Sequence, residues 1–154
     1  MKKYTEQEKY MKLALKEAEK ARLKDEVPVG AILVKDGLIV SRGYNQRNSK
    51  QNATAHAEHI AIEKACKKLK SWRLEECELY VTLEPCPMCA GAIIQSRIPR
   101  VYFGAYDPKG GCFGSCINFN DIKGFNHYPE IQGGILEAEC SSLLTTFFRE
   151  KRKK

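Results

Sequence analysis

The sequence predicts an α/β domain with crossover connections and a partly parallel sheet. Apolar residues at helical spacing recur in four segments, short β-branched and aromatic runs lie between them, and the two kinds of segment alternate along much of the chain. Thr5-Glu6-Gln7-Glu8 has the form of a capping box, and Met11, Ala14, Leu15 and Ala18 follow it, so a first helix runs from about Thr5 to Lys24. Residues 30–34 and 38–40 read as strands flanking Lys35-Asp36-Gly37, a turn containing Asp-Gly. A short polar loop leads to a second helix, whose apolar positions are Ala57, Ile60, Ala61, Ala65 and Leu69. Residues 79–83 form a buried strand that feeds a third helix, marked by Ala90, Ile93, Ile94 and Ile98 after Pro85, a residue suited to a helix start. Residues 101–105 form another strand. Tyr106 to Gly124 is Gly-rich and irregular, long enough to be a functional loop. A last helix presents Cys140, Leu143, Leu144, Phe147 and Phe148 on its apolar face.

A chain of 154 residues fits one domain, 1–154, with room for a core that needs no disulfides. There are no internal repeats or low-complexity linkers. Lys and Arg number 26 against 19 Asp and Glu, a net charge of +7, which suits a polyanionic partner and equally a merely soluble basic surface. The charge gathers in the first helix, in Lys64, Lys67, Lys68, Lys70 and Arg73, and in the tail from Arg149 to Lys154. That tail, about 150–154, either reaches phosphate or frays into solvent. No early apolar run resembles a signal peptide and no stretch is long enough to span a bilayer, so a membrane protein is not expected. Seven cysteines, an odd number with two in a metal motif, suit a reducing cytoplasm.

The chemistry is concentrated in His56-Ala57-Glu58 and, after 26 intervening residues, Pro85-Cys86-Pro87-Met88-Cys89. His56, Cys86 and Cys89 supply three zinc ligands, and Glu58 is a carboxylate that the metal does not need. Zinc held by three protein groups keeps a fourth position for water and lowers that water's pKa from ~16 to ~7. Glu58, two residues from His56, is placed for general acid/base work on it. Both motifs open helices, so two helix N-termini converge on the metal and favour thiolates. Each motif alone has other uses: C-x-x-C also serves structural zinc sites and redox pairs, and a histidine near a helix start is often only hydrogen-bonded. Cys112 and Cys116 leave a second metal site, a disulfide or plain loop and core roles open. His59, about one turn beyond His56, would close the water position as a fourth ligand, so a surface or interface role fits it better.

On this framework the chain resembles the bacterial tRNA-specific adenosine deaminases, within the cytidine-deaminase-like zinc enzymes, whose signature is H-x-E with P-C-x-x-C. The resemblance runs from about Tyr10 to Arg149. Its segments are Glu26-Val27-Pro28-Val29-Gly30-Ala31, Gly43-Tyr44-Asn45, Thr54-Ala55-His56-Ala57-Glu58, residues 80–92, Ser96-Arg97-Ile98, Phe103-Gly104-Ala105 and Asn126-His127. It implies a three-layer α/β/α sandwich around a five-stranded mixed sheet, one Zn2+ per subunit and a homodimer. The implied reaction converts adenosine to inosine at the wobble position of a tRNA anticodon, that of tRNA-Arg among the candidates, with Glu58 protonating the flipped-out adenine and then the departing ammonia.

The same resemblance makes Asn45 a contact to the target nucleotide, Asp107 a contact to the anticodon loop, and Asn126 and His127 part of a loop near flanking nucleotides. By residue type alone, Asn45 could instead close a strand end and Asp107 is an ordinary turn residue before Pro108. The chain departs from the family pattern at Gly110 to Asn120, where cysteines and aromatics replace the expected smaller residues. Tyr106, Phe113, Phe119 and Phe125 there either stack on bases or cover the core or a dimer interface. Two further readings stay open: a deaminase of a free base, nucleoside or nucleotide such as guanine, cytosine or deoxycytidylate, and a catalytically silent, zinc-stabilised RNA-binding subunit.

Overall fold

In this computed structural model, which describes residues 3–153, Thr5 caps helix α1 (Glu6–Leu23) as the capping box requires. Its hydroxyl accepts the Glu8 N–H at 3.1 Å, and the Glu8 carboxylate accepts the Thr5 N–H at 2.9 Å. Strands β1 (Gly30–Lys35) and β2 (Leu38–Tyr44) form a hairpin closed by Asp36 and Gly37, both at positive φ, the mirror-image turn that matches strand twist. β2 is longer than its sequence suggests and bulges at Val40, where the register with β1 shifts. A one-turn helix α2 (Arg47–Lys50) precedes α3 (Ala57–Leu69); then come β3 (Cys77–Leu83), α4 (Pro87–Ser96) and β4 (Arg100–Ala105). A three-residue edge strand, β5 (Glu130–Gln132), and helix α5 (Glu137–Arg152) complete the order.

The sheet order is β2-β1-β3-β4-β5, with antiparallel pairs at the β2 side and parallel pairs β3–β4 and β4–β5. Alternate residues of each strand feed two cores. Ala31, Leu33, Leu79, Val81, Val101 and Phe103 pack with Ala57, Ala61, Ala65, Ala90 and Ile93 of α3 and α4. Ile32, Val34, Tyr80 and Tyr102 pack with Met11 and Ala14 of α1 and Cys140 of α5. The period-two pattern of a strand buried on both faces therefore builds the expected α/β/α sandwich.

Three details differ from the sequence reading. Pro85 lies outside α4, and Pro87 takes the first helical position, where its missing N–H costs nothing. Phe148 is exposed, because the five apolar positions assigned to α5 span more of its circumference than the sheet covers. The tail is not frayed as far as Arg152: α5 continues that far, and Lys151 Nζ lies 2.5 Å from Asp25 Oδ2. Lys154 falls outside the described residues. Among the described residues no helix is long and apolar enough to cross a membrane.

Candidate active site

β3 and β4 run parallel with Leu83 beside Ala105, so both chains leave the sheet at one edge, β3 into the start of α4 and β4 into the loop that begins at Tyr106. Open α/β sheets place their sites at such an edge. α3 begins at the same place. His56 is its N-cap residue and Cys86 the N-cap of α4, both with extended backbone. A residue there projects its side chain past the helix end instead of along its flank. His56 Nδ1 lies 3.6 Å from Cys86 Sγ and 3.6 Å from Cys89 Sγ. A tetrahedral zinc with ordinary Zn–N and Zn–S bonds would separate these ligand atoms by about 3.6 Å. Donor type and spacing thus both fit zinc. Among the described residues, these three are the group of His, Cys, Asp and Glu side chains close enough to hold a metal ion.

Glu58, in the first turn of α3, is 4% exposed and interacts with the Cys89 thiol. Burial pushes its carboxyl up to about 7, with the Cys86 sulfur adding to the rise and His56 opposing it. The thiol of Cys86 is brought down to about 4, chiefly because Cys89 donates to its sulfur and next because His56 does, against the effect of burial. Cys89 moves the other way, since it is the donor of that bond and is buried. The His56 imidazolium is favoured by its bond to Cys86. The hydrogen bonds from Cys89 and His56 therefore favour one thiolate here, at Cys86, while Cys89 keeps its proton as the donor.

Because the His56 ring turns to the cysteines, it does not cap its own helix. Asn45 does so from the end of β2: its Oδ1 accepts the Ala57 N–H at 2.9 Å. This role had no signal in the sequence beyond proximity to Gly43. Asn45 is 8% exposed, and its own N–H bonds to the Val29 carbonyl at 3.1 Å, so it also closes the strand end. Asp107 sits on the loop leaving β4 and makes the turn its residue type suggests, its Oδ1 accepting the N–H groups of Lys109 (3.1 Å) and Gly110 (3.3 Å).

Asn126 is exposed, but His127 points elsewhere: its Nε2 bonds to the Ile98 carbonyl at 2.7 Å, beyond the C-terminal end of α4. That is a helix length, roughly 15 Å, from the Cys86 end. The structure brings His56, Glu58, Cys86 and Cys89 together with Asn45, places Asp107 at the same sheet edge, and leaves His127 apart. His59 is half-buried and outside the metal group. Cys112 is buried with its Sγ 3.4 Å from the Gly110 carbonyl, and Cys116 is exposed; both are free thiols, and neither joins a metal group among the described residues. The loop aromatics divide: Phe113 is buried, whereas Tyr106 and Phe125 are exposed, and Phe113, Phe119, Phe125 and Tyr128 form a chain of ring contacts.

Two further buried carboxylates stand out in the sequence only as parts of motifs. Glu26 accepts the N–H groups of Asn48 and Ser49 and the Ser49 hydroxyl, fixing the loop that leads to His56. Glu84 binds the loop that follows Asp107. Their partners lie more than twenty residues away, so no local spacing signals them.

Comparison with known proteins agrees with this geometry. Residues 4–105 match the family described as cytidine and deoxycytidylate deaminase zinc-binding region. The tRNA-specific adenosine deaminase of Bacillus subtilis (strain 168) is 55% identical over 150 residues, 97% of this chain and 93% of that protein. A solved structure concerned with A-to-I editing by tRNA:A34 deaminases at the wobble position of transfer RNA superimposes with a TM-score of 0.86 at 46% identity, covering 88% of this chain and 99% of that one. Guanine deaminase from Bacillus subtilis shares the fold at a TM-score of 0.64 and 32% identity, covering 77% of this chain and 87% of that one. With a zinc-binding motif whose atoms stand at zinc spacing, and with identity that is higher to the tRNA enzymes than to the guanine enzyme, the chain belongs to the tRNA-specific adenosine deaminase family of zinc-dependent deaminases.

Proposed function

We propose that this protein hydrolytically deaminates adenosine to inosine at the wobble position, 34, of a tRNA anticodon, acting as a cytoplasmic homodimer of one-domain subunits on tRNA-Arg among its substrates. The observation that carries the reading is a buried carboxylate, Glu58, beside three donors at zinc spacing. A purely structural zinc site has no use for that carboxylate, which counts against a silent RNA-binding subunit.

His56, Cys86 and Cys89 would hold the zinc. When bound, zinc supplies a water acidified toward neutrality, the nucleophile that hydrolytic deamination needs. Glu58 has a carboxyl raised to about 7 by burial, so it can both take up and release a proton near neutral pH. It would take a proton from the attacking water and deliver it to the ring nitrogen beside the attacked carbon, then take the proton of the added hydroxyl and deliver it to the amino group, which leaves as ammonia. Asn45 has its amide oxygen engaged by Ala57, so its Nδ2 amine is the end that meets the nucleotide. Asp107, with Oδ1 engaged in its turn, has Oδ2 for the anticodon loop. Asn126 is exposed and suited to flanking nucleotides, while His127 serves that loop by anchoring it to Ile98.

An apolar groove between α3 and α4, lined by Ile62, Cys66, Trp72, Ala92 and Arg97, supports the homodimer, and Trp72 on its rim is 57% exposed. The deciding experiment is inosine formation in a tRNA-Arg anticodon stem-loop, wild type beside Glu58→Gln at matched zinc content. Inosine from wild type alone is expected, with the variant slower by about 10²-fold or more. If neither protein forms inosine while zinc is bound and the fold is intact, the substrate is instead a free base or nucleoside.

A further inference from the structure

We propose that Glu84 is a positioning residue whose buried carboxylate sets the shape of loop 107–115 and thereby how tightly substrate RNA is held. The inference rests on the tRNA deaminase reading and deepens it.

Glu84 follows β3 directly, two residues before Cys86, and is 2% exposed. Its Oε1 accepts the Asp107 N–H at 3.1 Å and the Ser115 hydroxyl at 2.5 Å. Its Oε2 accepts the N–H groups of Phe113 at 3.0 Å and Ser115 at 3.1 Å. Gly111 packs against the same carboxylate so closely that a Cβ there would overlap it. The loop is tied once more to the metal-bearing segment by the Cys112 N–H, which bonds to the Pro85 carbonyl at 2.9 Å.

Three backbone N–H groups from separate positions of a loop converge on this one carboxylate, an arrangement that favours an anion. The anion is supplied by the chain itself. The loop therefore has its working shape before RNA arrives, and binding is not weakened by the entropy of ordering it. The loop also borders the reaction centre, because β3 and β4 leave the sheet side by side, one toward Cys86 and the other toward Asp107. All the groups that meet Glu84 are placed as donors, so both ends of its side chain must accept. Glutamine has the same shape but turns an NH2 group against a backbone N–H whichever way its amide is rotated.

The test uses the full-length, zinc-loaded protein as wild type, Glu84→Gln and Ser115→Ala. It reads zinc content, amide hydrogen exchange over residues 107–115, and KM and kcat on the anticodon stem-loop. For Glu84→Gln we expect unchanged zinc, loop exchange and KM each raised about tenfold or more, and a much smaller change in kcat. Ser115→Ala removes a donor from one edge of the carboxylate only and shifts both readouts in the same direction by less. Wild-type exchange and KM in Glu84→Gln would overturn the proposal. So would loss of zinc with a fall in kcat at constant KM, the pattern of a residue that merely supports the metal helix. Should Glu84→Gln fail to fold, Ser115→Ala decides, and unchanged exchange and KM in it overturn the proposal. An inactive wild type would sink the tRNA reading instead, while the exchange comparison would still decide whether Glu84 orders the loop.

Discussion

At the start of α3, two residues divide what one N-cap residue usually does: His56 holds the cap position in the backbone, and Asn45 supplies the capping oxygen. The division frees an imidazole for the metal without leaving a buried N–H unpaired. It also gives Asn45 two separable functions, an oxygen for the helix and an amine for the substrate. Asn45→Ala should cost about 1 kcal/mol in chemical denaturation and also impair activity, because both functions go. Asn45→Asp keeps the acceptor and loses the donor, so stability should stay near wild type while KM for the stem-loop rises. Equal destabilisation in the two variants would mean that the oxygen is not what stabilises α3. Glu26 acts at the same scale on the preceding loop. Burial raises its pKa, but the hydroxyl and N–H of Ser49, the N–H of Asn48 and the nearby Arg47 lower it by more, so the net shift is downward. A depressed folded-state pKa contributes stability that is fully present above the unfolded value of about 4.3 and is lost as pH falls through the folded value. Urea midpoints measured from about pH 6 down to pH 3 should therefore drop less steeply for Glu26→Gln, already weakened at pH 6, than for wild type. Parallel acid limbs would remove Glu26 from the account.

Elements place these residues by close approach. Gly43 in β2 faces the first turn of α3, and a Cβ there would overlap the Ala57 carbonyl and crowd the Ala61 N–H. The run Gly43-Tyr44-Asn45 thus seats the helix with one residue and caps it with another. Gly43→Ala should push α3 off the sheet, carry His56 away from the cysteines, cost about 1–3 kcal/mol and raise the zinc dissociation constant. Chelator competition would measure this, and unchanged zinc affinity would show that α3 can absorb a methyl group. Zinc itself should tie the ends of α3 and α4 together, so its removal should lower the thermal midpoint of wild type, and Cys86→Ala should bind little zinc and respond little to chelator. Much of this arrangement is legible in sequence where a signal is local. The capping box and apolar spacing locate α1, Asp36-Gly37 locates the hairpin, and His56, Glu58, Cys86 and Cys89 fall at the starts of two periodic runs. β5 is not legible, because three residues with a single apolar side chain, Ile131, carry no period. Neither is α2, a single turn with no buried residue, held by Glu26 from across the fold. The roles of Asn45, Glu84 and His127 depend on partners 12 to 31 residues away, and residue type alone cannot name a distant partner.

Across the whole molecule, the positive charge is gathered in a few stretches, one of which is the end of α5. Lys151 of α5 pairs with Asp25, Glu26 holds the Asn48–Ser49 loop, and that loop leads to His56. The tip of α5 carries Arg149, Lys151 and Arg152, and α2 carries Arg47 and Lys50. The pair between Lys151 and Asp25 is solvent-exposed and adds little stability. A net charge of +7 distributed in this way predicts binding that depends on phosphate contacts and weakens as salt displaces them. The affinity for a stem-loop should fall linearly in a double-logarithmic plot against salt. Neutralising Arg149 and Arg152 to Gln should reduce that slope by about one unit for each phosphate that the tip no longer engages, while leaving zinc content unchanged. Turnover of a neutral free base would show no such slope. If the double variant keeps the wild-type slope, the tip is a solvated helix end and the RNA lies along α2 and the loop after β4 instead.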